Sequence, residues 1–264
     1  MPIAIIGVGL RLPGGATTLD ALSSLLQAGT DCIRPIPQSR WNGERFYHPE
    51  RTHAGTMVTR EAGLLEDIYA FDADFFGISP KEAEIMDPQQ RLLLELTWEA
   101  FEDAGIAPSS LSGSDTAVFV GAATPDGGTK HADDLCATSP YTMTGTNLSI
   151  IANRISYIFN FHGPSFTLDT ACSSSIYALY QAAAMLAQGG ASMAVVAGVN
   201  VLLTPYPFVG FSQAYMLSPE GRCRVFDAAG NGYVVTGFDE ESAVKLGEKY
   251  LIIIEDTYMG LPVT

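Results

Sequence analysis

The chain has 264 residues, with 14 Lys and Arg against 29 Asp and Glu, a formal charge of −15. This length is enough for one large domain or two small ones. Hydrophobic residues make up 47% of the chain, and burying them offsets the entropy of ordering, which excludes an intrinsically disordered protein. An acidic chain without a basic cluster repels phosphate backbones, so the sequence predicts no nucleic-acid partner and no anionic membrane partner.

Four cysteines are spread along the chain, at Cys32, Cys136, Cys172 and Cys223. None forms a CxxC pair, so we expect neither disulfides nor a zinc site, and no metal. The N-terminal segment lacks the basic region of a signal peptide. Reduced thiols and no leader predict a cytoplasmic protein.

The stretch Thr170–Pro219 contains no Asp, Glu, Lys, Arg or His in 50 residues. A membrane helix needs about 20 continuous apolar residues, and Gly189-Gly190 interrupts this run, as do Pro205 and Pro207. We therefore expect a buried helix followed by a buried strand, not a membrane span.

The first predicted element is a fully buried strand at Ile3–Gly7, an apolar run that ends in glycine. The segment Gly7–Leu12 has the first two glycines of a dinucleotide-binding fingerprint but lacks the third. It therefore does not favour a Rossmann fold. Leu19–Gly29 predicts a helix. Residues 30–80 are rich in Pro, Gly, Arg and aromatic residues without a sustained period, which predicts a long ordered excursion over a surface.

Asp87 marks the strongest helix start in the sequence. It is a favoured N-cap residue, Pro88 suits the first helical position, and Gln90 is placed to reach back to the cap. The following residues, Arg91–Gly105, carry one apolar stripe, which predicts a surface helix packed on a core.

Strands and helices alternate through the following residues, from Thr116 to Val201. The predicted strands are Thr116–Gly121, Ser165–Thr170 and Ser192–Val201, and the predicted helices are Asn147–Phe159 and Ile176–Gln188, the second ending at a Gly-Gly C-cap. This alternation predicts an α/β layered architecture.

Cys172 is the most informative cysteine because it lies between a predicted strand and an uncharged helix. A thiol at such a junction faces unpaired N–H groups and the positive end of the helix dipole, which favour the thiolate. The neighbouring serines are small enough to let a substrate approach, although a buried structural cysteine is the alternative. Cys32, Cys136 and Cys223 are expected to be structural, because a nucleophile also needs a base and a cleft.

The heptad Asp169–Ser175 resembles the nucleophile motif of β-ketoacyl synthases, the condensing domains of modular polyketide synthases and animal-type fatty acid synthases. Other segments are similar to family signatures in the same order: Ile3–Gly7 with Arg11–Gly14, Phe75–Ala83, Met86–Glu95, Trp98–Ala100, Ala152–Tyr157, His162–Ser165 and Leu217–Cys223. The resemblance covers residues 1 to about 233.

The resemblance implies the N-terminal half of a thiolase-like layered fold, with helices around a mixed sheet, truncated before the second half. It implies that Cys172 accepts an acyl group from a phosphopantetheine thioester on an acyl carrier protein. A malonyl-type extender then loses CO₂, and its carbanion attacks the acyl group in a Claisen condensation. No tightly bound cofactor is implied, and the partners implied are the carrier protein and a second copy of the domain.

The family also uses two histidines, and usually a lysine, from the second half of its domain. This chain has only His48, His53, His131 and His162, all ahead of Cys172 and outside the family's sequence contexts. His162 is predicted to make a turn hydrogen bond and His131 to lie in a polar loop. None of the four is expected to act as the base.

The match stops after Val234. We expect residues 1–234 to be the β-ketoacyl synthase portion and residues 235–264 to be a tail foreign to the fold, from an interrupted or misread reading frame. Within that tail, Tyr250–Glu255 is compatible with a strand. The uncharged stretch would then be partly bare, so the chain is expected to aggregate or to need a partner chain that supplies the missing half.

Three functions stay open from the sequence. The first is an acyltransferase of this family that stops at acylation of Cys172. The second is a non-catalytic remnant that dimerises with an intact synthase. The third, a cysteine hydrolase, ranks last because no His and Asp or Asn follow the cysteine in a recognisable pattern.

Overall fold

A mixed five-stranded sheet carries the fold. The structure, a computed structural model, describes residues 3–131, 135–224, 226–235 and 250–255. The strands are β1 (Ala4–Leu10), β2 (Arg34–Pro35), β3 (Glu61–Ala62), β4 (Ala117–Gly121), β5 (Ser165–Leu168), β6 (Met193–Gly198) and β7 (Tyr250–Glu255). The sheet order is β1-β7-β6-β4-β5, while β2 and β3 form a separate pair. Strand β4 is parallel to β5 and β6, and β7 is antiparallel to β6 and β1.

Helices join and cover these strands. They are α1 (Leu19–Gln27), α2 (Gly43–Phe46), α3 (Pro80–Ile85), α4 (Pro88–Asp103), α5 (Asp126–His131), α6 (Thr142–Thr146), α7 (Ser149–Phe159), α8 (Ser174–Ala187) and α9 (Tyr206–Gln213). The predicted α/β alternation is confirmed. Within the described residues, none of the helices combines the length and apolarity that crossing a membrane requires.

The chain divides into two compact units. One takes in the described residues of 1–10 and 68–200 with strand β7, and the other those of 11–67 and 201–235. The first has a core between α8 and strands β4 and β6, formed by residues such as Phe119, Ala182 and Val196. These side chains are buried because a parallel sheet is covered by its crossover helices.

The second unit has a hydrophobic core of its own, which corrects the prediction that residues 30–80 only cross a surface. Trp41 and Met57 are buried there with Phe208 and Leu217, and the Trp41 and Phe208 ring centroids are 5.2 Å apart. The cluster is formed by residues more than 150 positions apart in the chain, so no local hydrophobic period indicates it. The prediction was wrong because a segment without such a period was taken to have no core of its own.

Strand β1 is present but is not fully buried as predicted, since Ile5 is 57% exposed. Among the described strands β1 lies at one end of the order, and an edge strand keeps one side accessible. Gly7 and Gly9 face helix α4: a Cβ on either would lie under 3.0 Å from the carbonyl oxygen of Ala100 or of Leu96. The two glycines therefore allow a close approach of strand and helix.

Asp87 caps helix α4 as predicted, its carboxylate accepting from the Gln89 N–H at 2.8 Å. Gln90 does not reach back to the cap. Its amide donates to the carbonyl oxygens of Thr144 (3.1 Å) and Gly145 (3.0 Å), and the Asp87 N–H donates to Gly145 O at 2.8 Å. Ten of the 16 residues of α4 are buried, more than a surface helix would bury. This burial raises the pKa of the Asp87 carboxyl.

A buried arginine joins four helices. Arg154 in α7 is only 7% exposed, and its guanidinium bonds the Glu82 carboxylate and the Gln90 side-chain oxygen, each at 2.6 Å. It also donates to the Thr144 carbonyl at 3.3 Å. Charged groups are rarely buried unless they are paired, and here the pairing joins α7 to α3 and α4.

Helix α8 begins two residues earlier than predicted and ends at the predicted Gly-Gly cap, with Gly189 at φ 68°. One part of its surface is apolar and open: Ile176, Tyr177 and Tyr180 are 43%, 47% and 62% exposed. The uncharged stretch is thus partly bare, as expected.

The strand predicted at Tyr250–Glu255 is present as β7, between β1 and β6. The rest of the predicted tail from 236 to 264 lies outside the described residues. The division of the chain at residue 234 stays a prediction.

Candidate active site

Strand β5 leads into a tight turn that carries Cys172 and then into helix α8. Asp169 and Thr170 follow the strand, and Cys172 is exposed at the surface of the turn. Ala171 has φ +56°, a left-handed conformation that is unfavourable for a residue with a Cβ. The thiol that directly follows this residue is accessible.

Side chains on both sides of the turn bond its main chain. The Asp169 carboxylate accepts from the Ala171 N–H at 2.8 Å. The Ser174 hydroxyl accepts from the Thr170 N–H at 2.8 Å and donates to the Ala171 carbonyl at 2.6 Å. The Ser173 hydroxyl donates to the Thr170 carbonyl at 2.8 Å.

Two glycines set the distance between this turn and the sheet. Gly121 and Gly198 face each other at the carboxyl ends of β4 and β6. A Cβ on Gly121 would lie under 3.0 Å from main-chain atoms of Ser174 and Ser175, and one on Gly198 would lie 2.6 Å from the Ser175 Cβ. The first turn of α8 therefore rests directly on the strand ends.

This packing changes the interpretation of the serines after Cys172. They were expected to leave room for a substrate, but Ser174 is buried and Ser175 packs on Gly198. Their small size serves helix-to-sheet contact and hydrogen bonding. Only Ser173 of the three is exposed beside Cys172.

Helix α8 places its N-terminus at the turn. It has 14 residues, and no acidic residue lies in its first turn to oppose its dipole. The positive end of that dipole and the N–H groups of the first turn point toward the segment that carries Cys172. Such an environment favours negative charge that develops on a thioester oxygen at this turn.

The other three cysteines lie elsewhere, and no disulfide joins any of the four, all of which lie in the described part of the chain. Cys136 is exposed in a short 3₁₀ helix, Leu135–Ala137. The Cys223 sulfur accepts from the Val234 N–H at 3.3 Å. Burial raises the pKa of the Cys32 thiol, an effect that the nearby Arg34 charge opposes. Their structural roles stay predictions.

The histidines fall in three places. His48 and His53 stack in the second unit, with ring centroids 4.2 Å apart, and His131 is the last residue of α5. The His162 ring lies 3.2 Å from the Asn160 side-chain oxygen, the turn contact that was predicted. The main-chain N–H of His162 donates to the Ser114 carbonyl at 2.8 Å.

His162 is poorly placed to serve as a base for Cys172. It precedes β5, whereas Cys172 follows it, and the four residues of that strand span about 13 Å at roughly 3.3 Å per residue. The two residues therefore lie beyond opposite ends of the strand.

A family model described as "Beta-ketoacyl synthase, N-terminal domain" matches residues 1–237. The chain belongs to this family. It is 48% identical over 233 residues to a polyketide synthase-nonribosomal peptide synthetase of Aspergillus clavatus, with 88% of this chain and 6% of the relative covered. A protein of the same description from Aspergillus flavipes is 42% identical over 268 residues, covering 98% of this chain and 7% of the relative.

Solved ketosynthase structures share the fold. The oxazolomycin ketosynthase domain of Streptomyces albus matches with a TM-score of 0.85 and 36% identity, covering 96% of this chain and 42% of that one. This confirms the predicted thiolase-like fold class and its N-terminal half. The chain thus spans less than half of this solved ketosynthase and under a tenth of the two fungal relatives.

Sequence reasoning located Cys172 but missed the groups that hold it. Gly121 was visible only as a strand end, and Ser174 only as part of a motif. The sequence does hold a signal for their contact. Gly121 ends a buried strand, and a run of serines stands at the start of a later helix, so small residues are available on both sides of a close approach. The Arg154 network carried no local signal, because its partner Gln90 lies 64 residues away.

Proposed function

We propose that this chain is the N-terminal part of a polyketide-synthase ketosynthase and that Cys172 is its acyl-accepting nucleophile. The observation that carries the proposal is an exposed thiol on a left-handed turn at the N-terminus of α8. The family match and the polyketide synthase relatives support a polyketide role in preference to fatty acid synthesis.

Acyl transfer follows from a thiolate at this turn. The Cys172 sulfur attacks the carbonyl carbon of an acyl-phosphopantetheine thioester, forming a new C–S bond through a tetrahedral oxyanion. The bond to the phosphopantetheine sulfur then breaks, and that sulfur leaves as a thiol after taking up the proton that Cys172 lost. The acyl group is then held on Cys172.

Condensation is the step that follows in this proposal. A malonyl-type thioester loses CO₂, and the resulting carbanion attacks the acyl carbonyl and expels the Cys172 thiolate. An acyl carrier protein brings both thioesters. None of the four histidines stands in the sequence context that the family uses, and His162 lies beyond the far end of β5. We therefore propose that this chain by itself stops at the acyl-enzyme.

Incubating the chain with an acyl-phosphopantetheine thioester tests the proposal. We expect one acyl adduct, mapped to Cys172 by peptide mass spectrometry and absent from Cys172→Ala. Cys136→Ala is the matched control, because Cys136 is also exposed, and it should acylate like the wild type. Folded protein without an adduct, or equal labelling of the two cysteines, would contradict acyl acceptance at Cys172.

Adding a malonyl-phosphopantetheine thioester to the acylated chain tests the second part. The adduct on Cys172 is expected to persist and no β-ketoacyl product to form. Turnover of the adduct to product would show that the chain supplies its own decarboxylation machinery.

The edge of the sheet favours a second role, association with another copy of a ketosynthase. Among the described strands β5 lies at the end of the order, so one edge keeps unpaired main-chain groups. Phe166 on this strand is 39% exposed, and Tyr157 on α7 is 81% exposed. Their neighbours Ser156 and Ser165 are hydrogen bonded at 2.8 Å, which places α7 beside β5. We propose this edge as a dimerisation surface.

Co-purification with a separately tagged intact ketosynthase tests the second role. Tyr157→Glu and Phe166→Glu are expected to lower recovery of the complex several-fold, because each places a charge on the edge surface. Tyr206→Glu, on a tyrosine that is 73% exposed in the second unit, is the control. Cys172→Ala should leave recovery unchanged, and equal recovery for all four variants would count against the edge.

A further inference from the structure

The conformation of Ala171 decides where the Cys172 thiol points. Its φ of +56° lies in the left-handed region, which residues with a Cβ adopt rarely and at a cost. Ala171 has only a methyl side chain to hold it there. The surrounding groups must therefore hold this conformation.

Both polar groups of Ala171 are bonded to side chains. Its N–H donates to the Asp169 carboxylate at 2.8 Å, and its carbonyl accepts from the Ser174 hydroxyl at 2.6 Å. The Ser174 hydroxyl also accepts from the Thr170 N–H at 2.8 Å. The two residues thus bond the main chain on both sides of the left-handed residue, from before the turn and from the first residue of α8.

The side chains of Asp169 and Ser174 have different surroundings, so they stabilise the turn in different ways. Asp169 is exposed, and its bond to the N–H two residues on is an Asx turn, a local device that fixes main-chain direction. Ser174 is buried at 5% exposure and rests on the end of β4 at Gly121. Asp169 therefore fixes the turn locally, and Ser174 connects the turn to the sheet.

The Asp169 carboxylate serves the turn as a hydrogen-bond acceptor for the Ala171 N–H. We propose that Asp169 and Ser174 are positioning residues that hold Ala171 left-handed and so aim the Cys172 thiol at the incoming thioester. The inference rests on the proposed function of Cys172.

Single-turnover acylation with an acyl-phosphopantetheine thioester tests the inference, in a Cys136→Ala background that removes the other exposed thiol. Asp169→Ala is expected to lower the saturating rate about tenfold with little change in the half-saturating concentration, because misdirected nucleophiles react slowly once the substrate is bound. Asp169→Asn keeps an acceptor oxygen and should stay within about threefold of the wild type.

Two further variants separate positioning from folding. Ser174→Ala removes the hydroxyl and should slow acylation like Asp169→Ala, whereas Ser175→Ala removes a hydroxyl one residue later and should not. Ala171→Gly in the Asp169→Ala background should restore most of the rate, because glycine adopts positive φ without strain. A role for Asp169 that does not act through the Ala171 conformation would give no such rescue.

The outcomes separate the positioning role of Asp169 and Ser174 from the proposed acylation of Cys172. If the wild type acylates and Asp169→Ala matches it, or if Asp169→Asn is as slow as Asp169→Ala, the positioning role is overturned while the nucleophile stands. If the wild type does not acylate, site-resolved alkylation of Cys172 by iodoacetamide decides the positioning role. A lower rate in Asp169→Ala but not in Asp169→Asn supports it, and equal rates overturn it.

Discussion

Gly121→Ala is expected to destabilise the chain by about 3 kcal/mol, at the upper end of the range for overpacking, and to slow acylation of Cys172. The added methyl group would lie under 3.0 Å from main-chain atoms of Ser174 and Ser175. Gly121 has little freedom to retreat, because its carbonyl accepts from the Val199 N–H at 3.0 Å and it pairs with strands on both sides. Helix α8 must shift instead.

Gly210→Ala is the matched control. Gly210 lies within α9, and a Cβ there meets no atom within 4 Å. Alanine has the higher helix propensity, so this variant should be neutral or more stable by up to about 1 kcal/mol. Urea unfolding measures both variants, and iodoacetamide labelling of Cys172 measures the turn. Equal midpoints for the two variants would show that α8 does not rest on the strand end.

The parts of this site that the sequence predicts are those with local signals. Strand β5, helix α8 and the junction at Cys172 follow from an apolar run, a glycine stop and a motif. The cap at Asp87 follows because a cap needs only residues within one helical turn. Each of these depends on neighbours in the chain, which a single sequence displays.

The parts that the sequence did not predict depend on contacts between distant segments. Gln90 was assigned to its own cap, but it bonds Gly145, 55 residues away. The serines after Cys172 were assigned to the substrate, but Ser174 packs on Gly121. In both cases the residue contacts a distant segment instead of the local partner expected from the sequence. The buried Gln90 amide needs a hydrogen-bond acceptor, and the end of β4 needs a small residue packed against it.

These distant contacts also fix the turn that carries Cys172. Helix α7 donates from the Ala152 N–H to the Thr167 hydroxyl of β5 at 3.2 Å, and β5 runs directly into the turn. Whatever holds α7 in place therefore holds the strand that precedes Cys172. The buried guanidinium of Arg154 joins α7 to Glu82 in α3 and to Gln90 in α4.

Arg154→Met is expected to cost about 3–5 kcal/mol, the range for removing one partner of a buried ion pair. Glu82 would keep a carboxylate that is only 23% exposed without this cation, and the Gln90 side-chain oxygen would lose its buried donor. Arg60→Met is the control: Arg60 pairs with Glu44 at 3.0 Å, but the two side chains are 50% and 72% exposed, so its loss should cost at most about 1 kcal/mol.

A second substitution identifies the cause of the larger effect. Glu82→Gln in the Arg154→Met background removes the uncompensated charge, so the double variant should be more stable than Arg154→Met alone. Urea unfolding at one pH measures the free energy of unfolding of the wild type, of Arg154→Met and of the double variant. If the double variant is no more stable than Arg154→Met, the stabilisation comes from the packing of the arginine side chain and its hydrogen bonds to Gln90 and Thr144. In that case Arg154→Lys, which keeps the charge without the planar donor array, should be nearly as unstable as Arg154→Met.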